Sequence, residues 1–360
     1  MKGRIKRLQE HTARKRLEGL ARSALREYGL PRGLRPVLLR VAAGKCLWRI
    51  EDVPGGGRYL LRMYLRPAAS VQHIRSILLW QQALSLEAAL PVPRPVPTEN
   101  GAALVSFPAG GGSVRALRRL GARPHDNRKA VDARLLWLCA LLEWMPGSVR
   151  RGPDLKAEHL CRVGSVVARM HRYAENFSPP AGFFLPRWDW ERVFGEQNPL
   201  WERGGRYCSP DDMRLLRRIA ELARCDISDL GEGSSSFGII HRDLTLDNFL
   251  FHNSGEASII DFDESGWGHY LFDLAGTVQS LTSFRRRRDR LEEALIRGYL
   301  RERPLPVNYP RLLKTFVAMR VVWTISRALL RPGWNPRPHP QHLELLRFHM
   351  RQLGTLEKEI

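Results

Sequence analysis

"GIIHRDLTLDNFLF", residues 238–251, carries apolar or small residues into His241, Arg242 and Asp243, then reaches Asp247 and Asn248 before a second apolar run. A short strand that ends in so dense a polar cluster raises the question of what those groups hold. Asp243 and Asn248 stand five apart in the loop after "FGII", and thirteen residues beyond Asn248, after a second apolar strand "ASII", comes "DFDESGWGHYLFDLA". Two strands joined by a turn bring Asp243, Asn248 and Asp261 to one edge. An amide and a carboxylate are hard oxygen ligands, suited to magnesium that keeps its water and bridges phosphates. A further carboxylate, free of metal, can accept a proton from an attacking hydroxyl. Phosphoryl transfer calls for that combination.

Working outward, 360 residues are more than one small core organises, so two lobes are expected. An apolar fraction of 43% and a charged fraction of 26% are ordinary for a globular chain. The balance of 58 Lys and Arg against 37 Asp and Glu leaves +21, which raises the question of a polyanionic partner. No recognisable nucleic-acid motif accompanies the charge, so neither a specific nucleic acid nor a membrane is expected as partner. The densest run, Arg285 to Arg288, opens "RRRRDRLEEALIRGYL", whose spacing reads as a helix with an exposed face. Five cysteines, Cys46, Cys139, Cys161, Cys208 and Cys225, are widely spaced and form no CxxC pair, which supports neither a disulfide framework nor a zinc site. The first 30 residues lack a signal-peptide core, and "LLWLCALL" at 135–142 is too short to span a bilayer. A reducing cytoplasm is the expected setting.

Residues 14–33 place Leu17, Leu20, Ala21, Ala24, Leu25 and Tyr28 on one helical face, closed by Gly29, Pro31 and Gly33. "PVLLRVA", "CLWRIED", a "PGGG" turn at 54–57 and "RYLLRMYL" read as strands with a hairpin. "ASVQHIRSILLWQQALSLEAAL" reads as a helix that stops at the Pro-punctuated "LPVPRPVPTENG". "AALVSF" and "RLLWLCALLEWM" read as two further strands around a Gly-, Arg- and Ala-rich insertion with a short helical turn. After "PGS" at 146–148 the period turns helical, with Leu160, Val163, Val167 and Met170 marking the first helix. The expected fold is α+β. A basic helix (1–33) precedes a small β-rich nucleotide-binding lobe (34–145), and a larger, mainly helical catalytic and substrate-binding lobe (146–360) follows a hinge near 143–147.

The spacing H-R-D-x-x-x-x-N followed by D-F-x matches the catalytic loop and metal-binding aspartate of protein-kinase-like enzymes. "RYLLRMYLRP", "HIRSILLWQQAL", "LPVPRPVPTENG", "LLEWMPG", "VGSVVARMH", "HRDLTLDNFLF", "IIDFDESGWGHYLFDLA" and "LLKTFVAMR" follow one another in family order. The chain resembles the aminoglycoside phosphotransferase and choline kinase family, nearest to its homoserine-kinase, hydroxylysine-kinase and stress-response-kinase members. That resemblance implies a two-lobe protein-kinase-like fold and an ATP- and magnesium-dependent kinase acting on a small-molecule hydroxyl. It also implies Asp243 as catalytic base and Asn248 and Asp261 as magnesium ligands. By the same resemblance, His241 and Asp273 brace the loop, Asp263 stands as a supporting acid or an accessory metal contact, and the backbone of Glu143 and Met145 meets the adenine edge.

Alternation in "YLLRMY" puts Leu60, Arg62 and Tyr64 on one face, making Arg62 the candidate phosphate cation and Lys45 in "AAGKC" the alternative. Two departures stand out. No Gly-rich phosphate fingerprint is present, and "RSILLWQ" has Ile77 where the family's helix offers a glutamate. A protein serine/threonine kinase, a nucleotide-binding pseudokinase motivated by Ile77, and a nucleic-acid binder motivated by charge are the alternatives. Aromatic-rich "RWDWERVFG" at 187–195 and Trp267 are candidates to line the acceptor pocket. The basic field points to a neutral, zwitterionic or anionic acceptor rather than a polycation.

Overall fold

The computed structural model describes residues 2–31, 33–42, 44–51, 57–67, 70–120, 135–253, 255–329 and 340–360. Its chain divides into two compact units, Met1–Pro146 with Pro180–Phe184, and Gly147–Pro179 with Leu185–Ile360.

The first unit is a five-stranded antiparallel sheet with helices. It runs α1 (Lys2–Glu27), β1 (Arg35–Ala42), β2 (Lys45–Glu51), β3 (Tyr59–Pro67), α2 (Val71–Leu86), β4 (Val105–Pro108), α3 (Gly111–Arg119) and β5 (Leu135–Glu143). The spatial order is β1-β2-β3-β5-β4. Strand alternation sorts its residues into two faces. Cys46, Trp48, Ile50, Leu61, Met63, Leu65, Trp137, Cys139 and Leu141 form one core with Leu17, Ala21, Ala24, Leu25 and Tyr28 of α1 and Ala116 and Leu117 of α3. Helix α1 thus carries the expected apolar stripe but begins twelve residues earlier than its strongest periodicity, at Lys2. The insertion before β5 holds a nine-residue helix, α3, rather than a turn. Residues 52–56 of the hairpin turn and residues 121–134 lie outside the described residues.

The second unit contains α4 (Ala157–Asn176), β6 (Arg187–Trp188), α5 (Trp190–Phe194), α6 (Pro199–Gly204), α7 (Pro210–Leu230), β7 (Phe237–Ile240), β8 (Phe249–Phe251), β9 (Ala257–Ile259), β10 (Gly266–His269), α8 (Tyr270–Ser280), α9 (Arg288–Leu300), α10 (Tyr309–Leu329) and α11 (Pro340–Glu359). Strand β10 lies between β6 and β7, and β8 pairs with β9 as an antiparallel hairpin. The strand "FGII" is therefore a neighbour of β10, not of "ASII". Leu160, Val163, Val167 and Met170 are fully buried on α4, as their spacing requires. The arginine-led segment does form a helix, α9, whose inner face buries Leu291, Ala294, Leu295 and Tyr299. Among the described residues no helix is long and apolar enough to cross a membrane.

Helices α4 and α9 approach at backbone distance because each offers a glycine. A Cβ on Gly164 would strike the carbonyl of Leu295, and one on Gly298 the carbonyl of Cys161. Backbone cannot yield as a side-chain tip can, so Gly298→Ala should lower stability by about 1–3 kcal/mol through overpacking. Gly19→Ala, at an exposed position of α1 with open space around it, should raise it by about 0.4–1 kcal/mol through unfolded-chain entropy. Urea unfolding midpoints of the two variants check both signs.

Candidate active site

Strand β7 delivers the buried run Gly238–Ile240 straight into the polar loop. The ring of His241, fully buried, packs on Phe262 with centroids 4.7 Å apart. Its Nε2–H donates to the carbonyl of Ile260 at 2.9 Å, and its Nδ1 accepts from the amide of Asp243 at 3.3 Å. Both ring nitrogens are thereby engaged, one as donor and one as acceptor. Arg242 has φ of +69°, a left-handed conformation that is costly for a side-chain-bearing residue. What holds it there is the carboxylate of Asp273 at the start of α8, which accepts from the amides of His241 at 2.8 Å and Arg242 at 2.6 Å.

Asp273 is itself fully buried and stands at the end of a hydrogen-bonded chain. Arg303 donates to the hydroxyl of Tyr299 at 3.0 Å, Tyr299 donates to Nδ1 of His171 at 2.9 Å, and Nε2–H of His171 donates to Asp273 at 3.2 Å. Burial, the largest influence, holds the His171 imidazole below its ordinary value, so it is neutral and can serve as this single-donor link.

Of the three residues of the metal-and-base reading, Asp243 and Asn248 are in direct contact, and Asp261 follows Ile260 beside the Asn248 backbone. Nδ2 of Asn248 donates to the carbonyl of Asp243 at 2.7 Å and lies 3.4 Å from its Oδ2. The amide of Ile260 donates to the carbonyl of Asn248 at 3.0 Å. That bond ties the hairpin shut directly behind the cluster and sets Asp261 beside Asn248. Asp261 has a left-handed φ of +68°, so the two non-glycine residues of this loop region with that conformation flank the cluster. The amide nitrogen of Asn248 is thus committed to the loop.

Arg320 of α10 is the group that the sequence reading missed. It is buried, its Nη1 donates to the carbonyl of Arg242, and its Nη2 lies 3.6 Å from Oδ1 of Asp243. Arg242 points the other way. Its guanidinium carbon sits 3.9 Å from the Trp188 ring centroid and 5.4 Å from that of Trp323, and the head pairs with Glu264. Burial draws Arg242 down to about 10, which still leaves it charged at neutral pH. Within "RWDWERVFG", Trp188 thus serves the loop, whereas the indole of Trp190 donates to the carbonyl of Ala220 on α7 at 2.7 Å. Trp267 pairs with Ile239 and Arg187 through the β10 backbone. Arg320 lies within "LLKTFVAMR" and His171 within "VGSVVARMH", but neither motif says what its cation or imidazole touches.

In the first unit, Arg62 and Lys45 occupy the same sheet face, opposite the core shared with α1. Arg62 is registered against Leu47 and Ala140, and Lys45 against Tyr64. Arg62 is buried, and so is Ile77 on α2. The amide of Glu143 donates to the carbonyl of Arg94 at 2.9 Å, and its carboxylate pairs with the Arg94 side chain. Any backbone contact from Glu143 must therefore come from its carbonyl. Met145 is half-buried just beyond β5. Among the described residues no three His, Cys, Asp or Glu side chains converge as a ready metal site. An amide and one carboxylate fit an ion that completes its shell with water and phosphate oxygens, as magnesium does.

A model described as the phosphotransferase enzyme family matches residues 47–312. The homoserine kinase of Bartonella henselae is 32% identical over 120 residues, 32% of this chain and 34% of that protein. The homoserine kinase of Cupriavidus pinatubonensis is 31% identical over 140 residues, 37% of this chain and 39% of that protein. The matched stretch therefore spans little more than a third of these curated relatives. Among solved structures, a microcompartment-associated aminopropanol kinase superposes with a TM-score of 0.71 at 22% identity, covering 94% of this chain and 96% of that one. An amicoumacin kinase in complex with AMP-PNP and calcium gives 0.72 at 17% identity, covering 95% and 93%. The fold is the α+β, protein-kinase-like fold of these proteins.

Asp273→Asn keeps the shape but replaces an acceptor oxygen with a donor, so one loop amide loses its partner. It should cost about 2–3 kcal/mol of stability, in the range of hydrogen bonds to charged groups. His171 takes up fewer protons folded than unfolded, so stability is full above its ordinary value of 6.5 and falls as pH drops through its lower folded value. Urea midpoints should therefore decline on acidification, and His171→Gln should decline less steeply.

Proposed function

This chain belongs to the phosphotransferase enzyme family, and we propose that it is a kinase transferring the γ-phosphate of ATP to a hydroxyl of a small molecule. The observation that carries this reading is the close grouping of Asp243 and Asn248, with Asp261 beside them, on a loop whose backbone is fixed by Asp273. In the proposed reaction the Asp243 carboxylate takes the proton from the acceptor hydroxyl as its oxygen attacks phosphorus. Arg320 and Asn248 orient that carboxylate from two sides. Asn248 and Asp261 are the residues that would hold magnesium, which neutralises phosphate charge when bound. Arg62, or Lys45 in its place, contacts the phosphates, and the backbone of Glu143 and Met145 meets the adenine.

The matched relatives and neighbours support a small acceptor, since their names specify homoserine and aminopropanol. A neighbour complexed with AMP-PNP and calcium supports an adenine nucleotide with a divalent ion. The wide spacing of the five cysteines is the basis for proposing a reducing cytoplasm.

Asp243→Asn should lower turnover by about 10²–10⁴-fold, the usual worth of a general base, while magnesium-ATP affinity stays within a few-fold. Near wild-type turnover would remove Asp243 from the base role. Asp261→Ala should instead weaken nucleotide binding only when magnesium is present, measured by titration with and without the ion.

Ile77 stands where the family's helix offers a glutamate, and a guanidinium can hold two phosphate oxygens by its own planar fork. Arg62→Lys should therefore raise the KM for ATP despite conserving charge, and Arg62→Ala should raise it further. If Arg62→Ala matches wild type while Lys45→Ala loses nucleotide, Lys45 is the phosphate contact. Ile77→Glu supplies the missing acid but must place its carboxylate at a buried position, so it should restore Arg62→Lys only in part.

A further inference from the structure

The excess positive charge is concentrated on two helices of the first unit. Helix α1 carries nine Lys or Arg against three Glu, and α3 carries three Arg and no acid. Among the described residues α1 makes one ion pair, Arg22 with Glu18 at 2.8 Å. Lys15, Arg16 and Arg26 of α1 and Arg115, Arg118 and Arg119 of α3 are all exposed. Among the described residues none of these six meets a carboxylate. Their charge is therefore not spent inside the fold, unlike that of the buried arginines of the second unit.

The two helices present these cations together. Leu17, Ala21, Ala24 and Leu25 of α1 and Ala116 and Leu117 of α3 enter one core against the sheet, so the outer sides of both helices turn away from it. By helical period, Lys15 and Arg26 lie opposite the buried stripe of α1, with Arg16 on its flank. Arg115, Arg118 and Arg119 make up the outward side of α3. Arg16 joins the two rows: its guanidinium lies against the backbone of Gly112 in the first turn of α3, where a Cβ would strike it. Among the described residues, neither helix exposes a large apolar side chain. Neither contains Phe, Trp or Tyr.

We propose that this face binds a double-helical nucleic acid through its phosphates, without reading its sequence. A helix that lies in a membrane surface inserts apolar side chains, and this face offers none. Proteins that hold a single strand add aromatic platforms for its bases, and these helices have none. The cations stand instead in two rows on neighbouring helices, whose axes pack about 8–10 Å apart. Such rows do not follow one extended strand, but they can meet phosphates of both strands across a groove. Five of the six cations are arginine, whose planar fork holds two phosphate oxygens at once. Phosphate contacts fix position without specifying sequence, which agrees with the lack of a recognition motif in the chain. The face is built from α1 and α3 alone and does not depend on the phosphotransfer reading.

The test titrates the full chain, by fluorescence anisotropy over a range of salt, into labelled DNA and RNA duplexes and a single strand of the same length. Vesicles containing phosphatidylserine serve as the lipid probe, read by co-sedimentation. Wild type should bind both duplexes with a Kd of about 1–100 μM at physiological salt. Six engaged cations should give a slope of about −5 in log K against log salt. Lys15→Gln, Arg26→Gln, Arg118→Gln and Arg119→Gln combined should weaken duplex binding at least about 10-fold and bring the slope to about −2. A second variant replaces the exposed Arg217, Arg290, Arg297 and Arg347 of the second unit by Gln. It loses the same net charge and should keep the wild-type slope. Circular dichroism of each variant verifies the fold. Wild-type affinity and slope in the folded first variant overturn the assignment. Equal losses in the two variants do so as well, because binding would then follow net charge and not this face. Tighter binding of the single strand, or capture by the vesicles with neither duplex bound, also overturns it.

Discussion

A fully buried carboxylate must have its charge met by donors, because no water reaches it. Asp273 satisfies that requirement with the amides of His241 and Arg242 and with the imidazole of His171. The bonds oblige the chain to turn sharply at the end of β7, and the left-handed Arg242 follows from that turn. Once Arg242 is so placed, its side chain and that of Asp243 point to different partners, one to the tryptophans and Glu264, the other to Arg320 and Asn248. The loop is strained, but its strain is local and is offset by a charge-assisted network that reaches back through Tyr299 to Arg303.

Arginine gives this second unit much of its architecture. Arg303, Arg320 and Arg242 are all buried, and each meets a carboxylate or carbonyl with its fork while an aromatic ring covers its face. Lysine could not do the same, since a compact ammonium neither stacks as a plane nor bonds through a rigid fork. Part of the arginine content is thus internal to the fold, where each of these three side chains stands against a carboxylate. The same chemistry recurs at Arg192, which shares Trp188 and Trp323 with Arg242.

Much of the fold was legible because local physics writes it into short stretches. The period of α1 and α4, the alternation in β2 and β3, and the proline-broken segment after α2 all follow from which side chains can share a face. The failures are equally physical. Strand β10 in "GWGH" has little strand propensity of its own and exists through its pairing with β6 and β7. The start of α1 was missed because its first turns show weaker apolar periodicity than the stretch from Leu17 onward.

At the site, sequence alone determined the spacing of Asp243, Asn248 and Asp261, since one loop and one hairpin of fixed length suffice to bring them together. It also identified His241 and Asp273 by likeness to a family, without showing their bonds. Only the tertiary structure decided that His171 reaches Asp273 across 102 residues of sequence and that Arg320 reaches the Arg242 carbonyl across 78. It alone stacked both Arg192 and Arg242 against Trp188 and Trp323. Spacing specifies contacts made within a loop or a helical turn, but contacts between distant elements depend on how their buried faces pack, and no local pattern contains that information.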